Sequence, residues 1–356
     1  MYSVHQHWDP LKACIVGRSY SPEFYSFIAN SRVRAVMERI TRETEEDYQK
    51  LVTLLESFGV TVLRPTLRDD YKFYLNSSGR INTPPMSPRD FSIMLGNEFY
   101  FKARTPIYHI NKNPYVSSLL SPAEKDSWDH VLDHIRAQGN PIINNVPDEF
   151  RDFNSAVTAR VGKDLYTGTA FEGQDITDQI IACSKQYPNY RWHSTNTAGH
   201  SDGTYCPVKP GLIVSLYDIQ EYADTFPGWE VVYLPGQSWA KVSDFNVLKQ
   251  KNKGKWWVPG EELNDEFTEF VEGWLDHWVG YVEETVFDVN MLVVDENNVI
   301  CNNYNEQVFN AFERHNITPH IVNFRHRYFW DGGLHCITSD LHRPGTLTDY
   351  FPERTQ

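Results

Sequence analysis

Near its C-terminus the chain reads Asp331-Gly332-Gly333-Leu334-His335-Cys336-Ile337-Thr338, a cysteine closely following a glycine pair. Two glycines permit left-handed or crowded backbone just before the thiol. Such backbone can aim amide N–H groups at the sulfur and favour the thiolate, the nucleophilic form. A second group is His200-Ser201-Asp202-Gly203-Thr204. In extended backbone its imidazole and carboxylate would share one face, a pair suited to moving a proton and holding a cation. A third group, Pro88-Arg89-Asp90, stands at the mouth of an apolar run. An aspartate there can take a guanidinium through paired hydrogen bonds. Each group alone also has a plainer reading: a buried cysteine beside a tight turn, a loop histidine with an aspartate turn cap, a loop–strand salt bridge.

Other chemistries find no support. The sequence has no phosphate-loop lysine, no GxGxxG after a strand, no GxSxG and no HExxH. His130 and His134 lie one helical turn apart without a metalloprotease pattern, and His326 and His342 show no ligand spacing. The five cysteines, Cys14, Cys183, Cys206, Cys301 and Cys336, form no CxxC. They read as free thiols in a reducing compartment, not as a disulfide framework or a zinc site. Neither a metal nor an organic cofactor is expected. The basic run 249–255 reads as a solvated loop.

The elements that would position these groups are short. Segment 12–18 is apolar and closed by a glycine, hence a strand; 44–57 carries Tyr48, Leu51, Val52 and Leu55 at helical spacing and ends at Gly59. Segment 60–63 follows as a strand. Strands 91–95 and 99–101 flank Gly96-Asn97, and 157–166 turns at Gly162-Lys163, so both read as hairpins. Helices are expected over 122–138, 175–187, 267–278 and 308–315. Strands are expected over 212–216, 291–295, 299–302 and 320–323. Strands and helices alternate throughout, with hairpins between them, in a rhythm that a degenerate repeat would produce. Segment 77–88 is a Pro/Ser/Gly-rich loop.

The chain has 356 residues, 40% of them hydrophobic and 22% charged. That is ordinary globular composition with ample length for a large core. Aromatic residues make up 14%, enough to line pockets as well as fill cores. The net charge of −14 leaves no basic footprint for nucleic acid or an anionic membrane surface, and it suits a cationic ligand. No stretch approaches the roughly 18 apolar residues of a spanning helix. Segment 1–10 has neither a basic n-region nor an apolar h-region. A cytoplasmic location is expected.

At these motifs the sequence resembles the glycine amidinotransferase family. Segment 331–347, DGGLHCITSDLHRPGTL, resembles its cysteine segment, where Gly-Gly-Gly-Phe-His-Cys leads into Thr-x-Asp and an arginine-rich turn. Further blocks follow in the family's order: WDPLKACIVGR at 8–18, EEDYQKLVTLLESFGVTVLRP at 45–65, PRDFSIMLGNEFY at 88–100, HSDGT at 200–204 and NMLVVDENNVICNNYNE at 290–306. The resemblance implies an α/β pentein fold, a propeller of five pseudo-repeated ββαβ modules around a central channel, with residues 1–356 as a single domain. It also implies a covalent mechanism. Cys336 would take an amidino group from an arginine-like guanidino donor, and His200 would move the protons. Asp90 and Asp202, with Arg89 and Glu284, would hold the substrates, and an amine would accept the group. A guanidino hydrolase of the same fold and a catalytically weak guanidino- or polyamine-binding relative are the alternatives. Dimerisation would follow family habit.

The sequence departs from the family in three places. Val157 stands where the family has an acid before the turn that is here Gly162-Lys163-Asp164, although Asp152 lies close by. Segment 215–219 lacks the arginine that grips a donor carboxylate, and Glu283-Glu284 replace small serines. Val157 leaves three readings: another carboxylate substitutes, the donor is held differently, or the usual activity is lost. The last two departures imply that at least one substrate differs from plain arginine or glycine and is more cationic.

Overall fold

The computed structural model describes residues 1–76, 78–101, 122–143, 154–168, 175–195, 197, 200–216, 222–234, 237, 258–276, 279 and 288–354. Several residues singled out above lie outside them: Ser77, Asp152, 217–219, 249–255, Trp278, Glu283 and Glu284.

The described strands form five sheets of three strands each. In chain order β3 (Ser92–Leu95) pairs antiparallel with β4 (Glu98–Phe101), which pairs in parallel with β5 (Ile142–Ile143). The same pattern joins β6 (Thr158–Val161), β7 (Asp164–Gly168) and β8 (Arg191–Thr195). It recurs in β9 (Tyr205–Lys209), β10 (Leu212–Ser215) and β11 (Glu230–Tyr233). It recurs again in β12 (Leu292–Asp295), β13 (Asn298–Cys301) and β14 (Thr318–Ile321). The remaining sheet joins the two ends of the chain: β15 (Thr338–His342) lies antiparallel to β1 (Ala13–Val16), which is parallel to β2 (Thr61–Leu63).

In each sheet a helix links the central strand to its parallel partner, as a parallel crossover requires. These are α1 (Ser31–Ser57), α2 (Pro122–Ala137), α3 (Thr177–Gln186), α4 (Tyr222–Thr225) and, after α5 (Asp265–Trp274), α6 (Glu306–Arg314). The expected alternation is thus a fivefold ββαβ repeat, with its first unit completed by the last strand.

Turn chemistry fixes the hairpins. Gly96 and Gly162 hold φ of 54° and 62°, the left-handed region open to glycine. At Gly162 a side chain would also lie 2.0 Å from the Thr348 carbonyl. Helix α1 starts earlier than the apolar pattern alone suggests. Asn30 caps it, accepting from Arg32 and Val33 N at 3.0 and 3.3 Å. Its buried stripe runs from Val33 through Met37 and Ile40 to Leu55, with Thr41 and Thr44 within it. Both hydroxyls donate to carbonyls one turn back, at 2.9 and 2.7 Å, so polar residues lie in the stripe without unmet hydrogen bonds. The expected helix 267–278 runs Asp265–Trp274 among the described residues.

The sheets meet in a ring at their leading strands. Ser339 of β15 and Ser92 of β3 share a 2.9 Å hydroxyl contact. Arg160 of β6 donates to the Met94 carbonyl of β3 at 2.8 Å. Ala156, before β6, accepts from Asp202 N, before β9, at 3.2 Å. Asn290, before β12, donates to the Asp202 carbonyl at 3.2 Å. Arg343, just after β15, donates to the Val293 carbonyl of β12 at 2.6 Å, which closes the circle. Where these strands converge, Asp340 of β15 receives Arg89 at 3.1 Å, Arg160 at 2.7 Å and Arg343 at 3.1 Å. All four side chains are buried. The three guanidinium groups hold the Asp340 carboxyl well below its ordinary range against the opposing effect of burial.

Candidate active site

Cys336 lies in the turn between α7 (Arg327–Trp330) and β15. The turn closes through Ile337 N to the Gly333 carbonyl at 3.0 Å and Thr338 N to the His335 carbonyl at 3.1 Å. Left-handed backbone occurs here at Asp331, with φ of 51°, and not at the glycine pair. Gly333 serves the other expectation, crowding: a Cβ there would come within 2.5 Å of Asn290 Oδ1. The Cys336 N–H does not point at its own sulfur. It donates to Asn290 Oδ1 at 3.2 Å, as does His335 N at 2.8 Å. Asn290 Nδ2 donates to the Cys336 sulfur from 3.0 Å.

Asp202 belongs to a 3-10 turn, Ser201–Gly203, not to extended backbone. The turn separates the two side chains that extended geometry would have aligned. Asp202 is buried; its Oδ2 accepts from His335 Nδ1 at 2.8 Å and lies 3.5 Å from Cys336 Sγ. Burial pushes the Asp202 carboxyl up, but the His335 hydrogen bond and the positive potential of His335, His200 and Arg89 outweigh it and hold the group low. His335 itself is pushed down, first by burial and then by the Arg89 charge. A carboxylate only accepts, so a neutral His335 must carry its proton on Nδ1.

His200 turns the other way, and its Nδ1 lies 3.8 Å from Asp90 Oδ1. Both side chains are partly open to solvent. Asp90 ends a 3-10 turn, Pro88–Asp90, that leads into β3. The site therefore has a buried half, Cys336 with Asp202, and an open half, His200 with Asp90. Behind the buried half is a cavity of about 20 Å3 bordered by His7, Thr158, Asp202, Cys206 and His335. It holds about one water molecule and is far too small for a substrate. Among the described residues no cluster of histidine, cysteine, aspartate or glutamate is placed to hold a metal ion.

The chain aligns over 99% of its length with inosamine-phosphate amidinotransferase 1 of Streptomyces griseus, at 23% identity and over 99% of that protein. It aligns with the mitochondrial glycine amidinotransferase of Xenopus tropicalis at 22% identity, over 98% of this chain and 84% of the other. The chain is a homologue of the amidinotransferases. No family model matches it. Two solved amidinotransferases share its fold. The inosamine-phosphate enzyme of Streptomyces griseus superposes with a TM-score of 0.64 at 20% identity, over 98% of this chain and 99% of that one. An amidinotransferase of the saxitoxin pathway of Microseira wollei gives 0.63 at 18%, with the same coverage. A dimethylarginine dimethylaminohydrolase adduct superposes at 0.51 with 10% identity, over 93% of this chain and 100% of that chain. The fold is the pentein fold of five modules.

On this amidinotransferase scaffold four of the six residues marked in the sequence, Cys336, His200, Asp90 and Asp202, fall in one region. Arg89 does not face a ligand. It is fully buried, and its Nε donates to the His335 and Thr338 carbonyls at 2.8 and 2.9 Å. Together with its Asp340 pair this makes it a brace under the turn that carries Cys336. Glu284 lies outside the described residues. Val157 is buried and acts through its backbone: its carbonyl accepts from Gly168 N and Ser201 Oγ, both at 2.7 Å. Any residue type supplies a carbonyl, so valine there still anchors the turn that carries Asp202. Sequence reasoning passed over Asn290 and His335. The block beginning at Asn290 was legible as a strand, but nothing in its spacing announced a side chain aimed at a cysteine 46 residues later.

Proposed function

We propose that this amidinotransferase homologue moves an amidino group from a small guanidino donor to an amine acceptor through an amidino-Cys336 intermediate. The observation that carries the reading is the position of Cys336 Sγ, 3.5 Å from the buried Asp202 carboxylate. A nucleophile beside an anion suits a cationic electrophile, which the carboxylate both attracts and orients. Asp90 and Asp202 hold the guanidinium. The Cys336 thiolate attacks its central carbon, and His200 gives a proton to the departing amine as the C–N bond breaks. The acceptor amine then attacks the same carbon, His200 takes its proton, and the thiolate leaves. Every proton and electron pair is accounted for within these groups and the two substrates, so no cofactor takes part.

The reading extends to a single domain over residues 1–356 that works in the cytoplasm, as a homodimer if family habit holds. It acts on small molecules and not on nucleic acid or membranes. Among the described residues no helix is long and apolar enough to cross a membrane.

Intact-protein mass measurement after mixing with arginine, agmatine and other guanidino compounds tests this. The expected result is an added amidino mass on the native protein, absent from Cys336→Ala and discharged by added amines. Discharge by water alone would make the protein a hydrolase. No adduct with any guanidino compound would sink the covalent reading.

A further inference from the structure

Asn290 precedes β12 in the fifth module, and its carboxamide reaches two others. Its Oδ1 accepts from His335 N at 2.8 Å and Cys336 N at 3.2 Å, both in the nucleophile turn. Its Nδ2 donates to Cys336 Sγ at 3.0 Å and to the Asp202 carbonyl at 3.2 Å. Two lone pairs and two hydrogens are the full capacity of a carboxamide, and all four are used. Exchanging the oxygen and nitrogen would set an oxygen against the Asp202 carbonyl and an NH2 against two N–H donors. The network therefore admits one orientation of the amide, the one that aims N–H at the sulfur. Asn290 is 0% exposed, so water offers no substitute, and Gly333 leaves the gap into which the amide fits.

We infer that Asn290 is a further catalytic residue of this site: a neutral N–H donor that steadies the Cys336 thiolate and sets its distance from Asp202. The inference rests on Cys336 being the nucleophile. Asp202 lies close to the sulfur and places negative charge beside a group that must itself become negative. The Asn290 dipole opposes that repulsion without adding a cation that would repel a guanidinium. A lysine or arginine would stabilise the thiolate more strongly but would compete with the substrate for Asp202. A neutral amide avoids that conflict.

The test is the rate of alkylation of Cys336 by iodoacetamide as a function of pH, read by peptide mapping on the full-length protein. Asn290→Asp replaces the donor with a charged acceptor of the same shape. It is expected to move the midpoint up by about one to two pH units, the size of a hydrogen bond to a charged group. Asn302→Ala removes only a 3.2 Å bond to the Asn290 backbone carbonyl and is expected to leave the midpoint in place. An unchanged midpoint in folded Asn290→Asp overturns the inference, as does an equal shift in Asn302→Ala, which would reveal a merely structural role. If Asn290→Asp does not fold, Asn290→Ser takes its place. Its hydroxyl is too short to reach the sulfur, and the same two outcomes decide. Alkylation needs no guanidino substrate, so failure of the amidino-adduct experiment would count against the nucleophile assignment and leave this measurement readable.

Discussion

Asp340 and Asp202 are both buried aspartates, and they have opposite surroundings. Asp340 receives three guanidinium groups, from Arg89, Arg160 and Arg343. Asp202 receives a histidine whose own ionisation burial suppresses, and its Oδ1 has no hydrogen-bond partner among the described residues. The first carboxylate is spent on holding modules together. The second has one histidine as its ion-pair partner among the described residues and keeps its charge available. The contrast shows how one fold can hold both kinds of carboxylate, one on β15 and the other on the turn before β9. Three guanidinium groups meet the first carboxylate, and a single histidine meets the second.

The sharpest way to break this comparison is Asp340→Asn. It leaves three buried guanidinium groups facing a neutral amide, and removing one partner of a buried ion network costs about 3–5 kcal/mol. Denaturant unfolding should show that loss. A change below about 1 kcal/mol would mean that the backbone carbonyls already satisfy the arginines. Asp202→Asn should divide its effects the other way, with the smaller loss in stability and the larger in activity. Unfolding stability is expected to fall by less than in Asp340→Asn, because the Asp202 carboxyl is held low by one histidine hydrogen bond and the positive potential around it, not by three guanidinium contacts. The kcat/KM for amidino transfer is expected to fall by roughly 10- to 150-fold, the value of a hydrogen bond to a charged group. A variant that lost stability and kept its activity would reverse the assignment of the two carboxylates.

The smallest effect lies in acid. The folded Asp340 carboxyl sits well below its ordinary value, so its contribution is complete above the unfolded value near about 4. It is lost as pH falls from there toward the depressed folded value. Native protein should therefore lose stability between about pH 5 and pH 3 more steeply than Asp340→Asn. Parallel slopes would show that other groups govern the acid limb.

Much of this architecture was legible in the residues. Hairpins at Gly96-Asn97 and Gly162-Lys163 announce themselves by turn chemistry, and each apolar run flanking them became a strand. Strands such as β8, RWHST, and β11, EVVY, did not: they are short and partly exposed, so neither alternation nor a continuous apolar run marks them. The first half of α1 was hidden by the two threonines in its buried stripe. At the site the residue types were visible but their orientations were not. The His200–Asp202 segment is a 3-10 turn, so its two side chains diverge, one to Asp90 and one to His335. Arg89 illustrates the same gap. Its type suggested a ligand contact, but its place under the turn, decided by the distant Asp340, made it a brace. Side-chain direction at such positions depends on partners hundreds of residues away, which local spacing does not encode.

The pairing of β15 with β1 joins residues 13 and 342, and it has a consequence in time. During synthesis the first four hairpins can form as their residues emerge, because each is local in the chain. The first sheet waits for a strand made after nearly all the others, and closing so long a loop is the entropically slowest kind of contact. The turn bearing Cys336 is delivered by that same strand, and its supports, Asn290, Asp202 and Arg89, are already in place on other modules. The nascent chain therefore carries no assembled cluster of Cys336, Asn290 and Asp202. The thiol meets these neighbours only as the ring shuts.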